Sequence, residues 1–300
     1  MYYFLKSKGI IWRINQKYFL SLVVTFKMKS MKTILITGAT GAIGKATALE
    51  FAQHNCQVIL LARNAEKLAM VKNEIINATG NEDVDFVVAD LSEPKSISTA
   101  VEEIKKKYTS LDALINVAAT FIKNRKENSQ GNEYMFATNH LGPFVLTTKL
   151  LDLLKAGKPS RIITVSAPST TKINFDDING KQKFSAGFLG AFGASKMMNL
   201  MFTYALARRL EGTGITTSVF HPGLVKSDLT NEMPAFLNFI FKQISAKPDK
   251  AAKMLCSLAL DKKYENSNGT FIKVNDQEIK SSAYSYDKNL QEKLWNLSEE

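Results

Sequence analysis

The chain's 300 residues, 45% apolar and 22% charged, exclude disordered, collagen-like and fibrous classes. A domain of this size buries roughly three quarters of the surface its unfolded chain exposes, and needs neither disulfide nor metal to stay folded. Six of the basic side chains behind the net charge of +11 fall in residues 1–30, which hold no acid; the other 270 residues carry +5, a mild excess that suits a small anionic ligand and lacks the dense Lys/Arg stripe of a nucleic-acid surface.

Residues 1–30 read as a basic, aromatic extension carrying Lys6, Lys8, Arg13, Lys17, Lys27 and Lys29 beside Trp12, Tyr18 and Phe19. Its longest uncharged stretch, Tyr18–Phe26, has nine residues, about half of what a membrane-crossing helix needs. No Ala-x-Ala-like site follows it to mark a signal peptide. A loose interfacial anchor is one reading. The preferred one is an extension upstream of a start at Met28 or Met31 that packs against nothing, so any membrane contact would come only through it.

From Lys32 onward, short β-branched runs alternate with longer amphipathic stretches, the pattern of β-α units around a parallel sheet. Strands are predicted at Thr33–Thr37, Gln57–Leu61, Val84–Ala89, Ala113–Val117, Arg161–Ser166, Thr216–Phe220 and Thr270–Val274. Helices are predicted at Ile43–His54, Ala65–Ala78, Pro94–Tyr108, Asn139–Leu154, Ala191–Glu211 and Asp249–Leu260. The strands are almost continuously apolar, as expected when helices cover both faces. No repeat or linker divides this stretch, so residues 31–300 are one α/β domain, a doubly wound parallel sheet of about seven strands, with a substrate lid around 228–247.

Thr37-Gly38-Ala39-Thr40-Gly41-Ala42-Ile43-Gly44 follows the first of these strands and opens a helix, which aims backbone amides at whatever lies above the turn. Gly38 permits the turn, Gly41 lets backbone approach a pyrophosphate, and Gly44 lets helix pack on strand. At the end of the second strand, where an acid would hold the ribose hydroxyl of NAD, the chain has Arg63, which suits the 2′-phosphate of NADP. Asp90, next to Leu91, either accepts from an adenine amino group or caps the following helix. Cys56 and Cys256 stand 200 positions apart, with His54, His140 and His221 as the three histidines. No zinc site is therefore expected, and a reducing, cytoplasmic setting is.

These segments, with Asn116, Asn139-His140-Leu141-Gly142, Ser160-Arg161-Ile162-Ile163, Ser195-Lys196, Ala207-Arg208-Arg209-Leu210, His221-Pro222-Gly223 and Leu294-Trp295, resemble the short-chain dehydrogenase/reductase superfamily and its retinol-dehydrogenase-like branch. The resemblance covers about residues 32–300. It implies a Rossmann sheet, a nicotinamide cofactor, and hydride transfer between alcohol and carbonyl. It also places Ala118, Pro222, Gly223, Val225 and Ser227 near the cofactor with Asn116, Leu91 and Thr40.

The family's Asn, Ser, Tyr, Lys set is represented here by Asn139 and Lys196 alone. Phe192 occupies the tyrosine position of Tyr-x-x-x-Lys, and Ala167 the serine position, leaving Ser166 or Ser169 as substitutes only if the loop shifts. A positioned general acid contributes about 10²–10⁴-fold in rate, so ordinary carbonyl reduction should be slow. Met233–Phe241, with Phe184 and Phe188, reads either as a greasy wall for a hydrophobic substrate or as plain packing. The resulting expectation is an NADP(H)-dependent oxidoreductase of altered proton chemistry acting on a hydrophobic carbonyl, alcohol or enone. The alternative is a catalytically silent NADP-binding protein that serves as sensor or assembly partner. A homo-oligomer is expected in either case.

Overall fold

Backbone pairing in the computed structural model, which describes residues 2–7, 10–15, 31–226 and 246–300, begins with an antiparallel hairpin. Strands β1 (Tyr2–Ser7) and β2 (Ile10–Asn15) pair from Tyr2↔Asn15 to Ser7↔Ile10. They belong to a first unit, Met1–Met31, separate from the unit Lys32–Glu300. The sequence reading assigns no element before Thr33, so this hairpin is an addition.

In the second unit the apolar runs become β3 (Thr33–Thr37), β4 (Gln57–Ala62), β5 (Val84–Val88), β6 (Ala113–Asn116), β7 (Ser160–Val165), β8 (Ile215–His221) and β9 (Thr270–Lys273). They form one parallel sheet in the order β5-β4-β3-β6-β7-β8-β9. The helices are α1 (Ala42–Gln53), α2 (Ala65–Thr79), α3 (Pro94–Lys107), α4 (Gly142–Lys149), α5 (Leu151–Ala156), α6 (Ala191–Arg209), α7 (Asp249–Leu260) and α8 (Lys288–Glu299).

Period-two alternation sends Ile34, Ile36, Val58 and Leu60 to one face, against Phe51 of α1, Leu68 of α2 and Leu255 of α7. Leu35, Ile59, Leu61 and Leu114 go to the other, against Ile97 and Ile104 of α3, Phe144 of α4 and Phe202 of α6. Both faces are therefore covered, which explains the continuous apolar runs. Local signals set the helix ends: Asn64 Oδ1 accepts the Lys67 amide at 2.8 Å, and Gly80 closes α2 in the left-handed region with φ of 72°.

Beyond shifts of one or two residues, the structure departs from expectation in three ways. The helix predicted over Asn139–Leu154 starts earlier, with a turn at Tyr134–Phe136 and a π-helical turn at Ala137–Leu141, and breaks at Leu150 between α4 and α5. Glu133 explains the early start, since its carboxylate accepts the amides of Met135 (3.0 Å) and Phe136 (2.7 Å) as a cap. The third difference is α8, absent from the sequence reading. Asp287 Oδ1 caps it through the amides of Asn289 and Leu290, and Leu294 and Trp295 are buried beneath it.

The sheet reverses its winding between β3 and β6, because β3 pairs with β4 on one side and with β6 on the other. A crevice opens at the carboxyl ends of those strands, the place where open α/β sheets bind ligands.

Candidate active site

Thr37, fully buried at the end of β3, ties the two sides of the crevice together: its hydroxyl oxygen accepts the amides of Val117 (3.0 Å) and Ala118 (3.1 Å). Gly38 turns immediately afterwards with φ of +65°, and a Cβ there would lie 2.8 Å from the Ala118 Cα. At Gly44 a Cβ would lie 2.2 Å from the Gly38 carbonyl oxygen, so α1 reaches this depth only without a side chain. α1 opens at Gly41 with no side-chain cap and no acid in its first turn. Its first amides are thus left to an external acceptor, and the helix dipole favours an anionic one.

Above the turn lies a cleft of about 460 Å³. It gathers Gly38, Thr40, Gly41, Ile43 and Gly44 with Arg63, Asp90, Leu91 and Ala118 from three further strand ends. Arg63 Nη1 donates to the Tyr134 hydroxyl at 2.9 Å, and the Lys126 ammonium lies 4.7 Å from the centroid of the same ring. Lys67, on the first turn of α2, also faces the cleft. Asp90 Oδ1 accepts the amide (2.9 Å) and hydroxyl (2.7 Å) of Ser92, and the N-cap of α3 is Glu93. Uncapped amides beside a glycine-flanked turn, with two cations in the same lining, fit a phosphorylated dinucleotide.

Other residues marked from sequence lie apart from this cleft. Asn116 is buried and donates to the Thr147 hydroxyl of α4 at 3.1 Å. Pro222 and Gly223 follow β8, and Val225 bridges to Ala246. Ser227, most of the lid at 228–247 and Met233–Phe241 lie outside the described residues.

Asn139, fully buried in the π-helical turn, grips the loop after β6 from both sides. Its Oδ1 accepts the Thr120 amide at 2.7 Å, and its Nδ2 donates to the Thr120 carbonyl (3.0 Å) and to Ser195 Oγ (3.1 Å). That grip presents Phe121 to the cleft and edge-on to Phe192, with ring centroids 5.6 Å apart and planes at 73°. Phe188 meets Phe192 from another side at 5.3 Å and 89°. Lys196, one turn further along α6, is 6% exposed, and burial pushes its ammonium down to about 8.

The two candidate serines are spent on α6. Ser166 Oγ donates to the Lys196 carbonyl at 3.0 Å, and Ser169 Oγ donates to the Gly193 carbonyl at 2.8 Å. Each hydroxyl has one proton, so neither has a second to offer an oxygen in the cleft. Thr138 provides the contrast: it lines the cleft, and its buried Oγ1 has no partner among the described residues. A buried polar atom without a partner is costly, and a bound ligand would satisfy it. Sequence reasoning missed Thr138, Lys67 and Phe121. Thr138 adjoins the Asn139 motif and Lys67 follows Arg63 by one helical turn, so spacing offered a signal for both.

A seven-stranded parallel sheet, wrapped by helices on both faces and carrying a glycine-rich turn at its switch point, defines a Rossmann-type α/β fold. The chain belongs to the short chain dehydrogenase family, whose model matches residues 32–237, and to its retinol-dehydrogenase-like branch. It is 34% identical to mouse (Mus musculus) retinol dehydrogenase 14, an alignment covering 89% of this chain and 85% of the relative. A solved structure of an uncharacterized protein from Mycobacterium paratuberculosis is 26% identical and superposes with a TM-score of 0.72, covering 89% of this chain and 92% of that one. The Pseudomonas aeruginosa RhlG/NADP active-site complex shares the fold at 23% identity and a TM-score of 0.66, covering 85% of this chain and 96% of that one.

Proposed function

We propose that the protein is an NADP(H)-dependent oxidoreductase acting on a small hydrophobic carbonyl, alcohol or enone, with proton transfer unlike that of its relatives. A nicotinamide dinucleotide, when bound, supplies or accepts the hydride. The observation that carries the reading is the cleft itself, whose lining joins the uncapped start of α1 to Arg63 and Lys67. Amides of Ala42, Ile43 and Gly44 would hold a pyrophosphate, since that of Gly41 is taken by the Gly38 carbonyl at 2.9 Å, and Arg63 and Lys67 would hold a ribose 2′-phosphate. The NADP-bound neighbour and the retinol dehydrogenase relatives support cofactor and reaction class.

In the reducing direction a carbonyl or activated alkene gains one hydride and one proton. Phe192 has no hydroxyl, so the proton must come from water, and Lys196 contributes positive charge and position. The apolar rings of Phe121, Phe188 and Phe192 favour a hydrophobic substrate at this end. The two cysteines fit the proposal of a reducing, cytoplasmic setting. Among the described residues no helix is long and apolar enough to cross a membrane.

One set of observations favours the silent alternative. Lys196 does not line the cleft in the described structure, and Ser166 and Ser169 are both committed to α6 carbonyls. Purified protein assayed with NADPH and a panel of ketones, aldehydes and enones separates the two. Oxidation of NADPH dependent on one substrate class supports the enzyme. Thermal protection by NADPH with no turnover on any member supports the silent protein, and no protection by NADPH or NADH removes both.

A further inference from the structure

A second cluster of donor atoms lies at the end of α1 remote from the glycine turn. Glu50 and His54, four positions apart, share one face of α1, and Cys256 comes from α7, which packs along it. A Glu50 carboxylate oxygen, His54 Nδ1 and Cys256 Sγ all lie within 4.8 Å of one another. Nδ1 is 3.7 Å from Sγ and 3.9 Å from Glu50 Oε1. Tetrahedral zinc, with Zn–S of about 2.3 Å and Zn–N of about 2.0–2.1 Å, would hold sulfur and nitrogen about 3.6 Å apart. The sulfur–nitrogen spacing matches that within a few tenths of an ångström, and the Glu50 carboxylate needs a shift of about half an ångström toward Nδ1 to complete the set.

We propose that Glu50, His54 and Cys256 form a zinc site that clamps α1 to α7, separate from the dinucleotide cleft. The donor set selects the metal, since sulfur and imidazole suit zinc while calcium and magnesium take oxygen. The setting suits a cation, because His54 is the C-cap of α1 and the carbonyl end of a helix carries partial negative charge. Cys256 is 3% exposed, whereas the His54 side chain is 52% exposed, so the site is anchored inside and open outside. Water from that side supplies the fourth ligand.

Loading exchanges protons without redox chemistry. The Cys256 thiol proton leaves to solvent, and the resulting thiolate with the Glu50 carboxylate balances the 2+ ion. His54 Nδ1 now faces the Glu50 carbonyl at 2.9 Å; on loading, its lone pair turns to the metal and the ring proton resides on Nε2. No Cys-x-x-Cys or His-x-x-x-His spacing announces the site, since its sulfur comes from a strand-and-helix unit 202 positions beyond His54.

The test uses the full chain, freed of metal with a chelator and titrated with Co²⁺, then with Zn²⁺. The expected result is one equivalent bound, a thiolate-to-cobalt charge-transfer absorption in the near ultraviolet, and loss of that absorption on adding zinc. Cys256→Ser should abolish the absorption and Cys56→Ser should retain it. His54→Ala, at an exposed position that leaves the far-ultraviolet circular dichroism unchanged, should weaken cobalt binding at least about tenfold. Absence of the charge-transfer band at one equivalent in the unmodified chain overturns the proposal. So does a band that survives Cys256→Ser, or a cobalt affinity indifferent to His54→Ala.

Discussion

The Lys196 ammonium stands 5.2 Å from the centroid of the Phe192 ring, and both side chains are buried. A cation above an aromatic face is attracted by the ring's quadrupole, by more when desolvated than at a surface. The contact offsets part of the cost of burying an ammonium on α6. It offers no proton relay.

Restoring two hydroxyls should restore that relay. The double substitution Phe192→Tyr with Ala167→Ser is expected to raise NADPH-dependent carbonyl reduction by about 10²-fold or more, the contribution of one positioned general acid. Initial rates on the substrate panel measure it. An unchanged rate would show that the cleft has diverged beyond these two positions.

Lys196 also makes stability depend on pH with a definite sign. Its pKa falls from 10.5 in the unfolded chain to about 8 in the fold, so between those values the unfolded state binds more protons and stability rises with pH. Below about 8 the burial penalty is fully present; above 10.5 it is gone. The gain across the window is on the order of 3 kcal/mol. Denaturant melts of cofactor-free protein from pH 7.5 to 10.5 should show this rise, and Lys196→Met should flatten it.

Arg63→Ala should separate the two nicotinamide dinucleotides. Removing a charged donor from a phosphate loses about 1.5–3 kcal/mol, so the Kd for NADPH should rise at least about tenfold while that for NADH moves little. Fluorescence titration of both cofactors reads the split. Equal weakening would mean that Arg63 acts through its bond to Tyr134 alone.

Gly44→Ala puts a methyl group 2.2 Å from a backbone oxygen, and neither partner is a side chain that can swing away. Loss of dinucleotide binding and a lowered melting temperature are expected, whereas an unperturbed variant would mean that α1 shifts easily on its sheet.

Trp295→Ala should be among the costlier changes in the fold. Trp295 packs edge-on to Phe144 at 4.9 Å, lies 5.9 Å from Phe202, and carries the Arg209 guanidinium 3.9 Å from its ring centroid. Emptying that space should lower stability by about 3–5 kcal/mol, visible as a shift of the denaturation midpoint at unchanged slope.

Much of the architecture was legible because its signals are local. Apolar runs of strand length set β3 to β9 within a residue or two, α7 has the predicted bounds Asp249–Leu260, and the glycine turn lies between β3 and α1 as its spacing implied. Tertiary facts were not legible. Ser166 and Ser169 read as substitutes only if the loop shifts, and no local signal shows that the carbonyls of α6 take both hydroxyls or that Asn116 turns to Thr147 instead of the cleft. For α8 the helical spacing of Leu290, Leu294 and Trp295 was present in the sequence. Three apolar positions in so short and polar a stretch do not by themselves separate a helix from a loop, and the burial of Leu294 and Trp295 is what holds it.

The bond between His140 Nε2 and Ser298 Oγ, 2.9 Å long, joins positions 158 residues apart. Full burial pushes that imidazole down to about 3, and the rings of Phe144 and Phe202 beside it wait for Trp295 to cover them. During synthesis the nascent polypeptide must therefore carry this aromatic face bare while more than ninety residues beyond Phe202 are still being added. Apolar surface left exposed for that interval is the kind that promotes aggregation of incomplete chains.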